Sequence, residues 1–478
     1  CFEIQNMAKN MFSVLSILIF YCVGASVVIN RFNDNDCFLD PNLVEEIASY
    51  KNVTRNIIDE ITKRGLGKLM YKQFSEFVDK FGPRPAGSET LEKAIDHMLN
   101  LTLNSGLTSI VTEELEVPHW VRGEESIVMI HPRKKNIALL GLGSSIFTPP
   151  NGITAEAILV KSFKNLDQID EANIKGKIVI YDAPYTSYGE TVAYRSMGAT
   201  KASEKGAVAS LVRSVTPYSL YTPHTGAQFY GKNVTKIPTA AITHEDADLL
   251  RRIYDQGEKI ILNIKMNSSF DIKKSRNTLI DVKGKDHPEK LVIVSGHIDS
   301  WDVGQGAMDD GAGMMISWFV PIVLNRLGLI PKRTLRAILW TSEEPGLIGA
   351  AEYLNRHSDE LKNINFIMES DEGTFKPLGL TVAGSKNARC IIEEILKLFS
   401  PIDKMIASDS PGSDITLIVK KGVPGASLLN ANERYFWFHH SEADTLDVLN
   451  ETDVINCAAF WTAVSYVIAD ISSDIPRY

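Results

Sequence analysis

Three segments of this chain share one pattern, an apolar run that ends in acids or a histidine. Residues 291–299 (LVIVSGHID) end in His297 and Asp299. Residues 334–344 (TLRAILWTSEE) end in Glu343 and Glu344, and residues 363–373 (NINFIMESDEG) end in Glu369, Asp371 and Glu372. The first segment runs on through a glycine-punctuated loop that adds Asp302, Asp309 and Asp310. Short runs of Val, Ile and Leu read as buried parallel strands. In a parallel sheet the carboxyl ends of neighbouring strands lie side by side, so these acids are expected in one crevice. Carboxylates gathered that closely repel and raise one another's pKa unless cations sit among them.

Metal is the simplest resolution. No cysteine occurs in these segments, so the donors are nitrogen and oxygen, which suits zinc, with manganese and cobalt as alternatives. A further imidazole is available at His439 or His440 in YFWFHHSEADT, residues 435–445. Two divalent ions carry four positive charges; three ligating carboxylates leave one, which a bridging hydroxide neutralises. That arithmetic points to a two-metal hydrolase with ions roughly 3.5–4 Å apart.

The elements that must position these groups follow from the order of the chain. Helical spacing over 43–64, 70–81 and 89–104 precedes a strand at 108–117, with the Gly-Pro-Arg-Pro-Ala-Gly run at 82–87 acting as a stop. From 123 to 274 short strands separated by Gly, Pro, Asn and Tyr loops suggest a β-rich insertion. After 274 strands alternate with helices at 313–327, 346–355 and 388–399, with Pro321 expected to kink or divide the first. An amphipathic helix is expected over 453–471. The expected fold class is α/β: a mostly parallel central sheet flanked by helices, interrupted by the β-rich domain.

The 478 residues are enough for two or three domains, and the net charge of -9 argues against nucleic acid as the main partner. Residues 11–28 (MFSVLSILIFYCVGASVV) with Lys9 ahead read as a secretory signal peptide cleaved near Ala25, the rival reading being an uncleaved anchor. Residues before Met7 are compatible with upstream read-through. The expected organisation is a signal peptide over 1–25, an N-terminal or pro-segment over 26–42, a first catalytic part over 43–122, the insertion over 123–274 and a second catalytic part over 275–478. Beyond the signal lie Cys37, Cys390 and Cys457; one disulfide can form, with partners left open. Sequons at Asn52, Asn100, Asn233, Asn267 and Asn450 fit a secretory route.

The segments GHIDSWDVGQGAMDDGAG, PKRTLRAILWTSEEPGLIGA, MESDEGTF and YFWFHHSEADT together resemble the co-catalytic dinuclear zinc peptidases, which include leucine-type aminopeptidases and glutamate carboxypeptidase. The likeness extends from about residue 43 to the C-terminus. The resemblance implies two Zn2+ per chain, with His297 and Asp371 on one, Glu344 and His440 on the other, and Asp309 bridging both. It implies Glu343 as general base and acid, and Asp299 as a hydrogen-bonding orienter of His297. His440 is preferred to His439 because the spacing to Asp444 and Thr445 matches the family. The insertion would be of protease-associated type. Pro345, where the family carries Gln, is a departure that removes a backbone donor beside the base.

The resemblance also implies a secreted or lysosomal exopeptidase (ER and Golgi being stations on that route), acting on short peptides. The expected substrates are dipeptides with a free C-terminal carboxylate. A homodimer, zymogen activation and no membrane association after signal cleavage are expected with it. The rivals are an aminopeptidase or glutaminyl cyclase on the same fold, and a non-catalytic ectodomain like that of the transferrin receptor. Asp302, Asp310 and Glu372 read as solvated loop caps, Glu369 as a supporting or surface acid, and His224 as structural. Ser413 and Asp414 are weak candidates for lining the cleft.

Overall fold

The computed structural model describes residues 37–478, so the signal peptide and most of the 26–42 segment lie outside the described residues. The chain forms two compact units. One comprises residues 120–271 with 436–441, and the other the remainder of the described chain.

The larger unit is built on an eight-stranded sheet. Its order is Ile110–Val121, Ser269–Val282, Arg333–Trp340, His287–His297, Ile364–Glu369, Gly425–Asn430, Pro377–Ala383, Lys404–Ala407. The four middle strands, from Arg333–Trp340 to Gly425–Asn430, run parallel to one another. Their register sets His297 opposite Trp340 and Ser295 opposite Glu369. The three acid-bearing segments therefore end together, as their shared pattern required. Alternate residues face opposite sides of a strand. Leu291 and Ile293 pack with Ala350 and Tyr353 of the helix Ile348–Arg356, while the helix Ala312–Leu327 also packs against their strand. Val292, Ile293 and Val294 are fully buried, and each such side chain contributes roughly 1.5–3 kcal/mol.

One helix expectation is narrowed and another corrected. Pro321 does not divide its helix, which spans Ala312–Leu327. The terminal helix, Glu451–Asp470, is not amphipathic: after its first turn it is buried on nearly every side, packed against Ala312–Leu327, Lys51–Thr62 and Leu66–Phe81. A helix surrounded by protein has no polar face to show. Cys37 pairs with Cys390 across 353 residues, tying the chain ahead of the first helix, Pro41–Ser49, to the helix Lys386–Leu396. Cys457 is buried and unpaired, its thiol donating to the Phe375 carbonyl at 3.0 Å.

The smaller unit holds a second eight-stranded sheet. The strands Ile153–Val160, Ile178–Tyr181, Ala209–Arg213 and Thr239–Ile242 are parallel at its centre. Two long helices of this unit are absent from the strand-based expectation. Tyr188–Glu204 buries small residues (Gly198, Ala199, Ala202), so its sequence has no clear apolar stripe. His244–Asp255 did carry a signal: the Thr243 side chain accepts the Asp246 N–H, with Glu245 and Asp246 in the first turn.

Candidate metal centre

His297 is the last residue of its strand, and its side chain is held from both directions. Its Nδ1 lies 3.0 Å from the backbone carbonyl of Asp299. A carbonyl only accepts, so Nδ1 carries the hydrogen and Nε2 faces away with its lone pair. Nε2 meets Asp309 Oδ1 at 3.2 Å and Asp371 Oδ1 at 3.1 Å. One atom from each of the three residues lies within 4.8 Å of the others. Three acceptors facing one another need a proton or a cation between them, and a divalent cation satisfies all three. Burial opposes a charge on His297, yet Asp371, with Asp299 and Asp309, outweighs it and raises the imidazole pKa well above its ordinary value.

Asp299 meets His297 through its backbone carbonyl, the contact that orients the ring. Its carboxylate is 3.7 Å from His297 Nδ1, and it instead accepts the N–H groups of Glu343 at 3.0 Å and Glu344 at 3.3 Å. One residue thus ties the His297 strand end to the turn bearing the paired glutamates. That turn closes on the Glu343 carbonyl, which accepts from Gly346 at 2.7 Å and Leu347 at 2.8 Å. Pro345 sits inside it and interrupts neither bond. Glu344 is 8% exposed. Burial raises the Glu343 pKa well above the usual carboxyl range; His297 opposes this, and Asp371 and Glu344 add to it.

Asp309 follows a loop that is suspended from outside. The Asp444 carboxylate accepts the N–H groups of Ala307, Met308 and Asp309 at 3.1, 2.7 and 3.2 Å. Asp310, expected as a solvated cap, is fully buried. It takes the His297 N–H at 3.0 Å, and burial followed by Asp371 raises its pKa well above the ordinary value. Glycine is required around it, because a Cβ on Gly313 would lie 2.2 Å from Asp310 Oδ1 and one on Gly296 2.6 Å from Oδ2.

Glu369 is a buried acid, not a surface one. It accepts the N–H groups of Ser413, Asp414 and Ile415 at 2.7, 3.2 and 3.3 Å, and burial together with Asp371 pushes its pKa up to about 8. So anchored, Ser413 donates its hydroxyl to Asp371 Oδ2. Ser413 therefore has a definite place as the group that orients Asp371.

Arg84 lies in the helix stop at 82–87. It is fully buried and donates to the carbonyls of Ile298, Gly82, Gln305 and Gly306, all at 2.7–2.8 Å. It clamps both ends of the loop that follows His297. The signal available in sequence was an arginine locked between two prolines.

His439 and His440 lie in residues 436–441, which belong to the smaller unit. There their rings stack with centroids 3.5 Å apart. His440 adopts a φ of 60°, and its carbonyl accepts the Thr225 N–H at 2.9 Å. His224 is structural, as expected: Nδ1 lies 2.6 Å from the His439 carbonyl, and burial lowers its pKa to about 3. The five sequon asparagines are all exposed.

Known proteins resemble this chain in sequence and in fold. The model of "Peptidase family M28" matches residues 277–465, which span the paired strand ends and the Asp444 anchor. Carboxypeptidase Q of Xenopus laevis is 49% identical over 434 residues, covering 90% of this chain and 92% of that protein. The chain belongs to the carboxypeptidase Q group of peptidase family M28. It is therefore a peptidase, and the likeness expected from its four motifs narrows to this group. A crystal structure of a peptidase M28 precursor from Shewanella amazonensis superposes with a TM-score of 0.85 at 29% identity, covering 90% of this chain and 99% of that one. A zinc aminopeptidase of Bacillus subtilis, 21% identical with a TM-score of 0.65 and 86% and 98% coverage, shares the fold. The α/β architecture with an inserted unit is thus that of M28 peptidases.

Proposed function

We propose that this M28 peptidase is a dinuclear zinc exopeptidase of short peptides, chiefly dipeptides with a free C-terminal carboxylate. The observation that carries the proposal is the meeting of His297 Nε2 with Asp309 Oδ1 and Asp371 Oδ1 at 3.1–3.2 Å. The donor set of imidazole and carboxylate, without cysteine, fits zinc. His297, Asp309 and Asp371 would hold one ion; Asp309, Glu344 and His440 would hold the second. Zinc, when bound, supplies Lewis acidity toward a scissile carbonyl and makes water more acidic at neutral pH.

The chain's own residues divide the remaining work. Asp299 O fixes the His297 tautomer, and Ser413 fixes Asp371. Glu343 takes a proton from the attacking water and delivers it to the departing amine. Burial raises its carboxyl pKa above the usual range. The Cys37–Cys390 disulfide supports passage through an oxidising compartment, in keeping with a secreted or lysosomal glycoprotein. The homodimer and proteolytic activation belong to the same proposal.

The test is a panel of free, N-blocked and C-amidated dipeptides run with wild type and Glu343→Gln. The expected result is hydrolysis of free dipeptides and a fall of about 10²–10⁴-fold in the variant. Undiminished hydrolysis by the variant, or cleavage confined to amidated peptides, would refute the reading.

A further inference from the structure

The smaller unit contains a buried cation without an anion. Arg195, on the helix Tyr188–Glu204, is only 7% exposed. Its guanidinium has five N–H donors in a planar fork. One contact is of ordinary length, Nη2 to the Tyr188 hydroxyl at 2.9 Å. The others are long: 3.5 Å to the Thr225 carbonyl and 3.4 Å to His440 Nδ1. Nε has no acceptor, and no carboxylate among the described residues pairs with the group. Compare Arg333, 1% exposed, which has Asp474 at 2.7 Å.

An arginine is not left in this state by default, because burying an unpaired charge is costly. Arg195 is placed by other means. The Tyr188 ring lies 5.4 Å from Cζ in a cation–π arrangement. Gly226 makes room: a Cβ there would sit 2.4 Å from Cζ. The fork is thus positioned without its charge being met.

We propose that Arg195 is the subsite for the α-carboxylate of the peptide substrate. This deepens the exopeptidase reading and rests on it. A carboxylate matches the guanidinium fork bidentately, which lysine or a neutral amide cannot reproduce. The neighbour at 3.4 Å is His440, the imidazole assigned to the second ion. A carboxylate seated on Arg195 therefore sits beside an imidazole that the proposed function assigns to metal, which suits a peptide whose free carboxylate lies close to its scissile bond. Arg195 is a specificity residue in this reading, and Tyr188 and Gly226 hold it in place.

The experiment measures kcat/KM for one dipeptide as the free acid and as the C-terminal amide, in wild type, Arg195→Gln and Arg195→Lys. Equilibrium binding of both peptides is measured on the same proteins, and melting temperature serves as the folding control. Arg195→Gln should lower kcat/KM for the free acid about thirty- to a hundredfold, mainly through KM. The amide should change by less than about threefold. Arg195→Lys should recover part of the loss. An equal fall for acid and amide would mean that Arg195 only supports His440, and would overturn the proposal. So would wild-type binding that does not distinguish acid from amide. Wild-type protein that binds the acid selectively through Arg195 but hydrolyses neither peptide would instead defeat the exopeptidase reading alone.

Discussion

Asp444 holds Asp309 from 135 residues away, accepting its N–H at 3.2 Å while taking those of Ala307 and Met308 as well. The residue proposed to bridge two ions thus hangs from a carboxylate outside the proposed ligand set. Burial, then the charge of Asp309, raises the Asp444 pKa to about 7, with the backbone donors pulling it back.

Asp444→Ala leaves three buried N–H groups without an acceptor. It should cost at least about 3 kcal/mol in urea unfolding, given roughly 1–3 kcal/mol for each buried group left unsatisfied. Asp444→Asn keeps one carbonyl oxygen, and should retain most of the stability while lowering metal affinity about 10–100-fold. Equal metal affinity in the Asp444→Asn variant and in wild-type protein, by chelator competition, would count against the suspended-loop account.

Arg84 makes the same kind of prediction from the opposite side of the loop. Arg84→Lys keeps the charge but cannot serve four carbonyls in a planar array. It should destabilise the protein by about 2–4 kcal/mol and lower activity beyond what the stability loss explains. A lysine variant as stable as wild type would show that the clamp is dispensable.

Acid should loosen the C-terminal segment. Burial would raise the Asp474 pKa, but hydrogen bonds from Lys290 and Arg333 outweigh it and lower the pKa below the usual value. A depressed carboxylate contributes stability above its unfolded pKa of about 3.9 and loses it as pH falls through the folded value. Asp474 is half exposed, so the effect is screened and modest. Asp474→Asn should flatten the pH dependence of melting below about pH 4; an unchanged profile would contradict this.

Much of the centre was legible because strand ends carry their own signature. An apolar run halting at His297, at Glu343 or at Asp371 announces both the strand and the crevice. The groups that tune these residues were hidden, because each acts through the backbone of a distant segment. Arg84 meets Gly306 across 222 residues, and nothing local distinguishes it from any arginine in a turn. Glu369 looked like a spare acid until Gly412, Ser413 and Asp414 closed over it. The terminal helix Glu451–Asp470 failed for a different reason: amphipathic spacing was sought in a helix that protein surrounds on almost every side. In the inserted unit, small-residue packing erased the periodicity of Tyr188–Glu204.

The central claim is that His297, Asp309 and Asp371 converge in order to hold metal. The most direct measurement is zinc content per chain by elemental analysis, with dipeptide hydrolysis followed on the same sample. The account predicts two zinc ions per wild-type chain, loss of bound metal in Asp309→Asn, and a parallel loss of activity. Wild-type protein that hydrolyses dipeptides at full rate with no metal bound would contradict it.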